Sequence, residues 1–299
     1  MKKLVTCKCG SGKYVDDCCA PKVRMTMYEF ANPEEQQKYK KMIKISSQFE
    51  MRPRGIFEYY GEDLVTYKLQ KPTSESRHMF LTVIARYMTE YLEDCCPSRW
   101  IDCDHVFWNE LLTTFYPSVM QITAEENNVD LFLYELKKFT HWLDKERSTN
   151  LYKIVYPILE EAEIDLKKCE SLLNALYLQL YPHLHSKQAD SLFANDMYFN
   201  MLENCEDDKY DVFEVQNVSR SHVVATSLET NYTYYMRGLP YKLLESGMII
   251  TGTICKMPRE NLWRWNSPES VFPQAAKEYL RHVLIHEPPR LKQMIDVRD

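Results

Sequence analysis

Glu203-Asn204-Cys205-Glu206-Asp207-Asp208 runs into Lys209-Tyr210-Asp211-Val212-Phe213-Glu214-Val215-Gln216-Asn217-Val218, and across this stretch the hydrophobic period of the chain changes. Before it, apolar residues recur every three to four positions, as on one face of a helix. After it they alternate, as on one face of a strand. The acidic run Glu203–Asp208 is polar enough to mark the boundary. The chain therefore reads as α+β, with a mainly helical body first and a small β-barrel-like domain second.

Outward toward the C-terminus, five short strands follow. Asp211–Val218 is the first, and Ser219-Arg220-Ser221 turns into a second over His222–Leu228. Asn231–Met236 is the third, Gly247–Cys255 the fourth and Leu262–Trp265 the fifth. Five short strands suit a small barrel, SH3-like or OB-like. Pro273 opens a closing helix through Ala276, Tyr279, Leu280 and Val283. The β domain spans 209–286 and a tail covers 287–299.

Outward toward the N-terminus, residues 75–204 form the helical domain. Phe80, Val83, Ile84, Tyr87, Met88 and Tyr91 repeat at helical spacing. Asp104 reads as a cap for a helix carrying Phe107, Leu111 and Phe115 and ending before Pro117. Thr123-x-x-Glu126 reads as a capping box for a helix through Leu136 and Leu143. Another helix runs from about Thr149 past Pro157 to Tyr181, and Ser186 caps a last one. Residues 23–74 read as a linker: a polar helix opening at Asn32-Pro33, then an irregular segment over 51–74. Within it, Ile56–Tyr60 is a short strand or an anchor onto the body.

Residues 1–22 carry the sharpest chemistry. Cys7, Cys9, Cys18 and Cys19 are spaced C-x-C-x8-C-C, with Gly10 and Gly12 after the first pair. Four thiolates at such spacing suit one tetrahedral Zn²⁺, held about 2.3 Å from each sulfur and leaving no position open for water. The two glycines can supply the tight knuckle between them. Zinc is thus the expected cofactor, in a structural role. Lys8 and Lys13 flank the thiols and are the candidate partner contacts there.

This stretch resembles the SEC-C motif, the zinc module at the C-terminus of the preprotein translocase motor SecA. The likeness rests on Cys7, Cys9, Gly10-Ser11-Gly12-Lys13-Tyr14, Cys18 and Cys19, about 20 residues in all. In SecA the last ligand is usually His; here it is Cys19. The resemblance implies zinc and a docking surface for a protein partner or the ribosome. It does not imply a translocase motor, since no G-x-x-x-x-G-K-[ST] loop occurs. The C-terminal pattern (Phe213-Glu214-Val215, Leu239–Leu244, Gly247–Gly252, Trp263, Phe272-Pro273) resembles a β-module that follows SEC-C segments in uncharacterised bacterial proteins.

Composition bounds the rest. The 299 residues are 45% apolar with a mean hydropathy of −0.46, and include ten cysteines. There is no secretory h-region after Met1-Lys2-Lys3, so the cytoplasm is the expected setting. No apolar run approaches a membrane span. Residues 1–54 carry 12 Lys/Arg against 6 Asp/Glu, and the remainder 25 against 37. A basic head on an acidic body suits an anionic partner such as RNA, a ribosome or an acidic protein face, and argues against wrapping long duplex DNA.

Weaker signals remain. Cys95, Cys96, Cys103 and His105 have spacing compatible with a second metal site; buried small hydrophobes are the competing reading. His183 and His185 read as exposed or capping histidines. Cys169, Cys205 and Cys255 lack a local base. Tyr232, Tyr234, Tyr235, Trp263 and Trp265, with Arg220, Arg237 and Arg264, could form a binding face or pack the domain; Arg237 and Trp263 are the candidate contacts. No carboxylate pair, G-x-S-x-G elbow or phosphate loop singles out catalysis. The expectation is a zinc-binding adaptor that docks a protein partner. A nucleic-acid- or ribosome-associated protein, and an enzyme with a pocket among the helices, are the alternatives.

Overall fold

The computed structural model describes residues 27–185 and 205–286. The expected zinc knuckle, the helix expected from Ser186 and the tail lie outside the described residues. Contacts divide the chain after Lys41, and the helical body and the sheet belong to one unit beyond that point.

Helix α1 (Pro33–Ser46) starts where Asn32-Pro33 predicts. The Asn32 Oδ1 accepts from the Glu35 N–H at 2.8 Å, and Glu35 accepts from the Ala31 N–H at 2.6 Å. This reciprocal pair satisfies two otherwise orphaned donors.

The stretch 51–74, expected to be irregular, is largely helical: α2 (Arg54–Phe57) and α3 (Gly61–Gln70). Ile56–Tyr60 is therefore not a strand, although it does anchor. The Tyr60 ring lies on Trp100 with centroids 3.7 Å apart, and the Tyr59 hydroxyl donates to the Glu93 carbonyl. Its apolar residues are anchored by contacts some 40 positions away in sequence, which local periodicity does not report.

Helix α4 (Glu75–Arg86) is capped by Ser74, whose hydroxyl accepts from the Arg77 N–H, and passes into a π-turn over Tyr87–Tyr91. Helix α5 (His105–Glu110) is capped by Asp104, as the sequence predicts. It does not end before Pro117. A π-turn (Leu111–Phe115) carries it into α6 (Tyr116–Ser118), with Pro117 in the first turn of α6, where a missing N–H costs little.

Helix α7 spans Asn128–Arg147, and α8 runs Leu151–Leu180 through Pro157. The Thr123/Glu126 capping box does not form. Glu126 sits at φ +47°, outside any helix. Instead the Glu170 carboxylate, from α8, accepts from the N–H groups of Asn128 and Val129 at 2.8 and 3.4 Å. Asp144 caps α8 in turn, accepting from Leu151 and Tyr152. Side chains from neighbouring helices replace the local caps that sequence reasoning looks for. The core of the body is aromatic: Tyr67, Phe80, Trp108, Phe132 and Phe139 are each no more than 1% exposed. Arg77 and Glu135 are buried there as a pair, Nε to Oε2 3.6 Å, with the guanidinium over the Tyr67 ring.

The strands are β1 (Asp207–Val218), β2 (Val223–Ser227), β3 (Thr233–Arg237), β4 (Ile249–Lys256) and β5 (Trp263–Phe272). Pairing follows the order β1-β2-β3-β5-β4, and β4 pairs back onto β1, so the ring of strands closes. Only the β3–β5 pairing is parallel. Strand β5 is longer than the predicted Leu262–Trp265 and runs on through Pro268. Pro268 stands opposite Gly252 at a register shift, where its missing N–H breaks no regular ladder. Phe213, Val215, Met236, Ile250 and Ile254 fill the ring, all fully buried. Strand β5 packs against α8 and α6. The closing helix α9 (Lys277–His286) buries Leu280 and Val283.

Gly252 makes the closure possible. Its φ is +156°, and a Cβ built there would stand 2.1 Å from the Ser267 carbonyl oxygen and 2.9 Å from the Trp265 ring. Gly252→Ala is expected to lower unfolding stability by about 3 kcal/mol or more, since backbone and ring would both have to move. A chemical-denaturation midpoint equal to the parent's would show that β4 does not approach β5 in this way.

Candidate functional site

An aromatic ladder leads from the interior of the sheet to its surface. Phe213, fully buried, meets Tyr234 edge-on with centroids 5.5 Å apart. Tyr234 in turn meets Trp263 at 5.5 Å and Tyr232 at 4.9 Å. Trp263 is half-buried, and Tyr232 is 62% exposed. Strand periodicity explains the ladder. Tyr232 and Tyr234 are two apart at the start of β3, and Trp263 is two from the buried Trp265 on β5. The parallel register sets Met236 opposite Trp263, so the two strands deliver their rings to the same end of the ring of strands.

Two lysines join this end. Lys209 of β1 places its ammonium 5.9 Å from the Trp263 centroid and 5.9 Å from that of Tyr234. Lys256 of β4 places its own 5.8 Å from Trp263. Ammonium groups at such distances are at the outer range of attraction by the ring quadrupoles. Neither lysine forms an ion pair with a described residue, although Asp207 stands opposite Lys256 in register. The nearby guanidiniums are engaged. Arg237 bonds the Glu260 carboxylate, and Arg264 lies 3.7 Å from the same group. The site thus offers flat aromatic surface beside two cations that are in no ion pair with a described residue.

Of the predicted contacts, Trp263 lies at the centre of this cluster and Arg237 beside it, tied to Glu260. Tyr235, on the opposite face of β3, tilts toward His222 instead. Trp265 is a core residue. Lys209 and Lys256 escaped sequence reading, because a lone lysine on a strand looks like ordinary solvated surface; only the register brings them to Trp263.

The other constellations resolve as packing. Cys96 and Cys103 are buried, with their sulfurs 3.7 and 3.3 Å from the Tyr60 hydroxyl, while Cys95 and His105 are exposed. Burial pushes the Cys96 thiol up to about 11 and the Cys103 thiol higher, so both stay protonated at neutral pH. Among the described residues, no group of three or more His, Cys, Asp or Glu could hold a metal ion. The Cys169 thiol is raised by complete burial, which leaves it inert. His185 Nε2 meets the Asn174 Oδ1 at 2.9 Å, and both His183 and His185 are exposed. Cys7, Cys9, Cys18, Cys19, Lys8 and Lys13 lie outside the described residues.

Cys205 and Cys255 are joined by a disulfide that closes a 50-residue separation. It ties the approach to β1 to the strand that carries Lys256. Among the described residues no helix is long and apolar enough to cross a membrane. Compared with known protein families, curated proteins and solved structures, the chain matches none.

Closing a loop of that length removes chain entropy worth about 4 kcal/mol from the unfolded state. Oxidised protein is expected to unfold at a denaturant concentration higher by a corresponding amount than protein in excess dithiothreitol. Cys255→Ser should erase the difference. Identical transitions with and without reductant in the parent chain would mean that the bond is not formed.

Proposed function

We propose that this chain is a zinc-bearing interaction protein with two contact elements: the N-terminal knuckle, and the aromatic–lysine end of the sheet. The sheet end is read as a platform for single-stranded nucleic acid. One observation carries this reading: Trp263 ends an aromatic ladder and is flanked by two ammonium groups that form no ion pair with a described carboxylate. Bases of any identity stack on such rings, and the lysines suit the phosphates between them. The finer likeness to small barrels that bind oligonucleotides belongs to the same proposal.

The knuckle supplies the second contact. Cys7, Cys9, Cys18 and Cys19 would hold zinc, and Lys8 and Lys13 would meet a protein partner. Four thiolates match zinc's preference for soft donors at tetrahedral corners. A reducing cytoplasm fits thiolate ligands, and in that setting the Cys205–Cys255 pair would be the one exposed to reduction.

Titration of labelled oligouridine is expected to show binding that weakens steeply with salt. Trp263→Ala should cost about 1–3 kcal/mol of binding energy. Lys209→Ala and Lys256→Ala should each lower the log–log salt slope by about 0.7. No binding at low salt would end the nucleic-acid reading. Metal analysis of the full chain is expected to find about one zinc per chain, lost in the Cys7→Ser/Cys9→Ser variant. A metal-free parent chain would end the zinc reading and leave the other intact.

A further inference from the structure

The Cys205–Cys255 bond lies at the end of the sheet that carries the aromatic–lysine cluster. The register between β1 and β4 fixes this. Asp208 stands opposite Cys255, Asp207 opposite Lys256 and Lys209 opposite Ile254. The Glu206 N–H donates to the Lys256 carbonyl at 2.9 Å. Cys205, just before it, is half-buried, and Cys255 is 2% exposed.

The start of β1 is lightly restrained. Its pairing with β2 begins only at Phe213, so among the described residues 207–211 pair with β4 alone. Glu206–Tyr210 are all exposed. An exposed, one-sided ladder end opens at small free-energy cost unless something clamps it. The disulfide is a clamp on one side of Lys209. On the other side the Tyr210 hydroxyl donates to the Glu269 carboxylate of β5. Between the two, the Lys209 ammonium stands 5.9 Å from the ring centroids of both Trp263 and Tyr234.

We propose that the Cys205–Cys255 disulfide is a redox switch on this end of the sheet: oxidised, it keeps Lys209 beside Trp263; reduced, it lets the start of β1 fray and Lys209 leave the ring. A dithiol is the reductant. Its thiolate attacks the half-buried Cys205 sulfur, and Cys255 leaves as a thiolate and takes up a proton. The second thiol of the reductant then attacks its own partner sulfur in the mixed disulfide and releases Cys205. Two electrons and two protons thus pass to the protein, and the two sulfurs of the reductant end joined. The consequence for binding rests on the reading of this end as an oligonucleotide platform. Reduction removes a positioned ammonium from it. Glu206, Asp207 and Asp208 loosen too, yet stay tethered within about a Debye length (~10 Å at 0.1 M salt), so their screened repulsion changes less.

Two readouts on the full chain, oxidised and in excess dithiothreitol, separate the claims. Amide hydrogen exchange of peptides covering 205–211 is expected to quicken about tenfold on reduction, while peptides covering β2 and β3 keep their protection. Oligouridine affinity at 0.1 M salt is expected to fall about fivefold, the counterpart of a salt slope lower by about 0.7. Cys205→Ser should give the reduced values of both with or without reductant. Unchanged exchange over 205–211, or protection lost throughout the sheet, would overturn the switch. So would equal or tighter binding after reduction, or a reductant effect that persists in Cys205→Ser. Absence of oligouridine binding in both redox states would instead end the nucleic-acid reading, and the exchange result would still decide whether the bond governs Lys209.

Discussion

A missing methyl group decides the shape of the β domain. At position 252 the backbone of β4 comes so close to the Ser267 carbonyl and the Trp265 ring that no side chain fits. The register between β4 and β5 shifts there, and Pro268 occupies the facing position. From Ile249 to Lys256, β4 pairs with β1 on one side and β5 on the other. Strand β5 then reaches β3 in parallel, and the ring closes. Every later feature of the candidate site follows from that closure, since Trp263 lies at the end of β5 that the parallel pairing brings to Tyr234.

Ion pairing separates the lysines of this site from other cations on or near the β domain. Lys277 bonds Glu214 at 2.6 Å, Lys168 bonds Glu245 at 2.7 Å, and Arg237 and Arg264 share Glu260. Such pairs are worth little to stability where they are exposed, but they lower the charge left to attract an anion. Lys209 and Lys256 instead rest against rings. In a chain whose acidic residues outnumber its basic ones, 43 to 37, two lysines beside aromatic surface with no ion pair to a described residue are a specific feature.

The sequence made the class of the fold legible, along with the strands and the long helices, because burial imposes periods of 3.6 and 2 that survive in the residue order. Asp104 and Asn32 were readable caps because their partners lie within three residues. The cap of α7 was not, because Glu170 comes from 42 residues away and leaves Thr123 and Glu126 as a false local signal. The same limit hid the helical nature of 51–74 and the true length of β5. Trp263 could be suspected from its type. Lys209 and Lys256 could not, and neither could the pairing of Cys205 with Cys255, since register and tertiary packing alone bring their members together.

Ultraviolet crosslinking of the full chain to oligouridine, with the modified peptide mapped by mass spectrometry, tests the central claim most directly. Crosslinks are expected on Trp263 or Tyr232, and they should disappear at high salt. Crosslinks confined to other parts of the chain, or none under conditions where the protein is folded, would contradict the account.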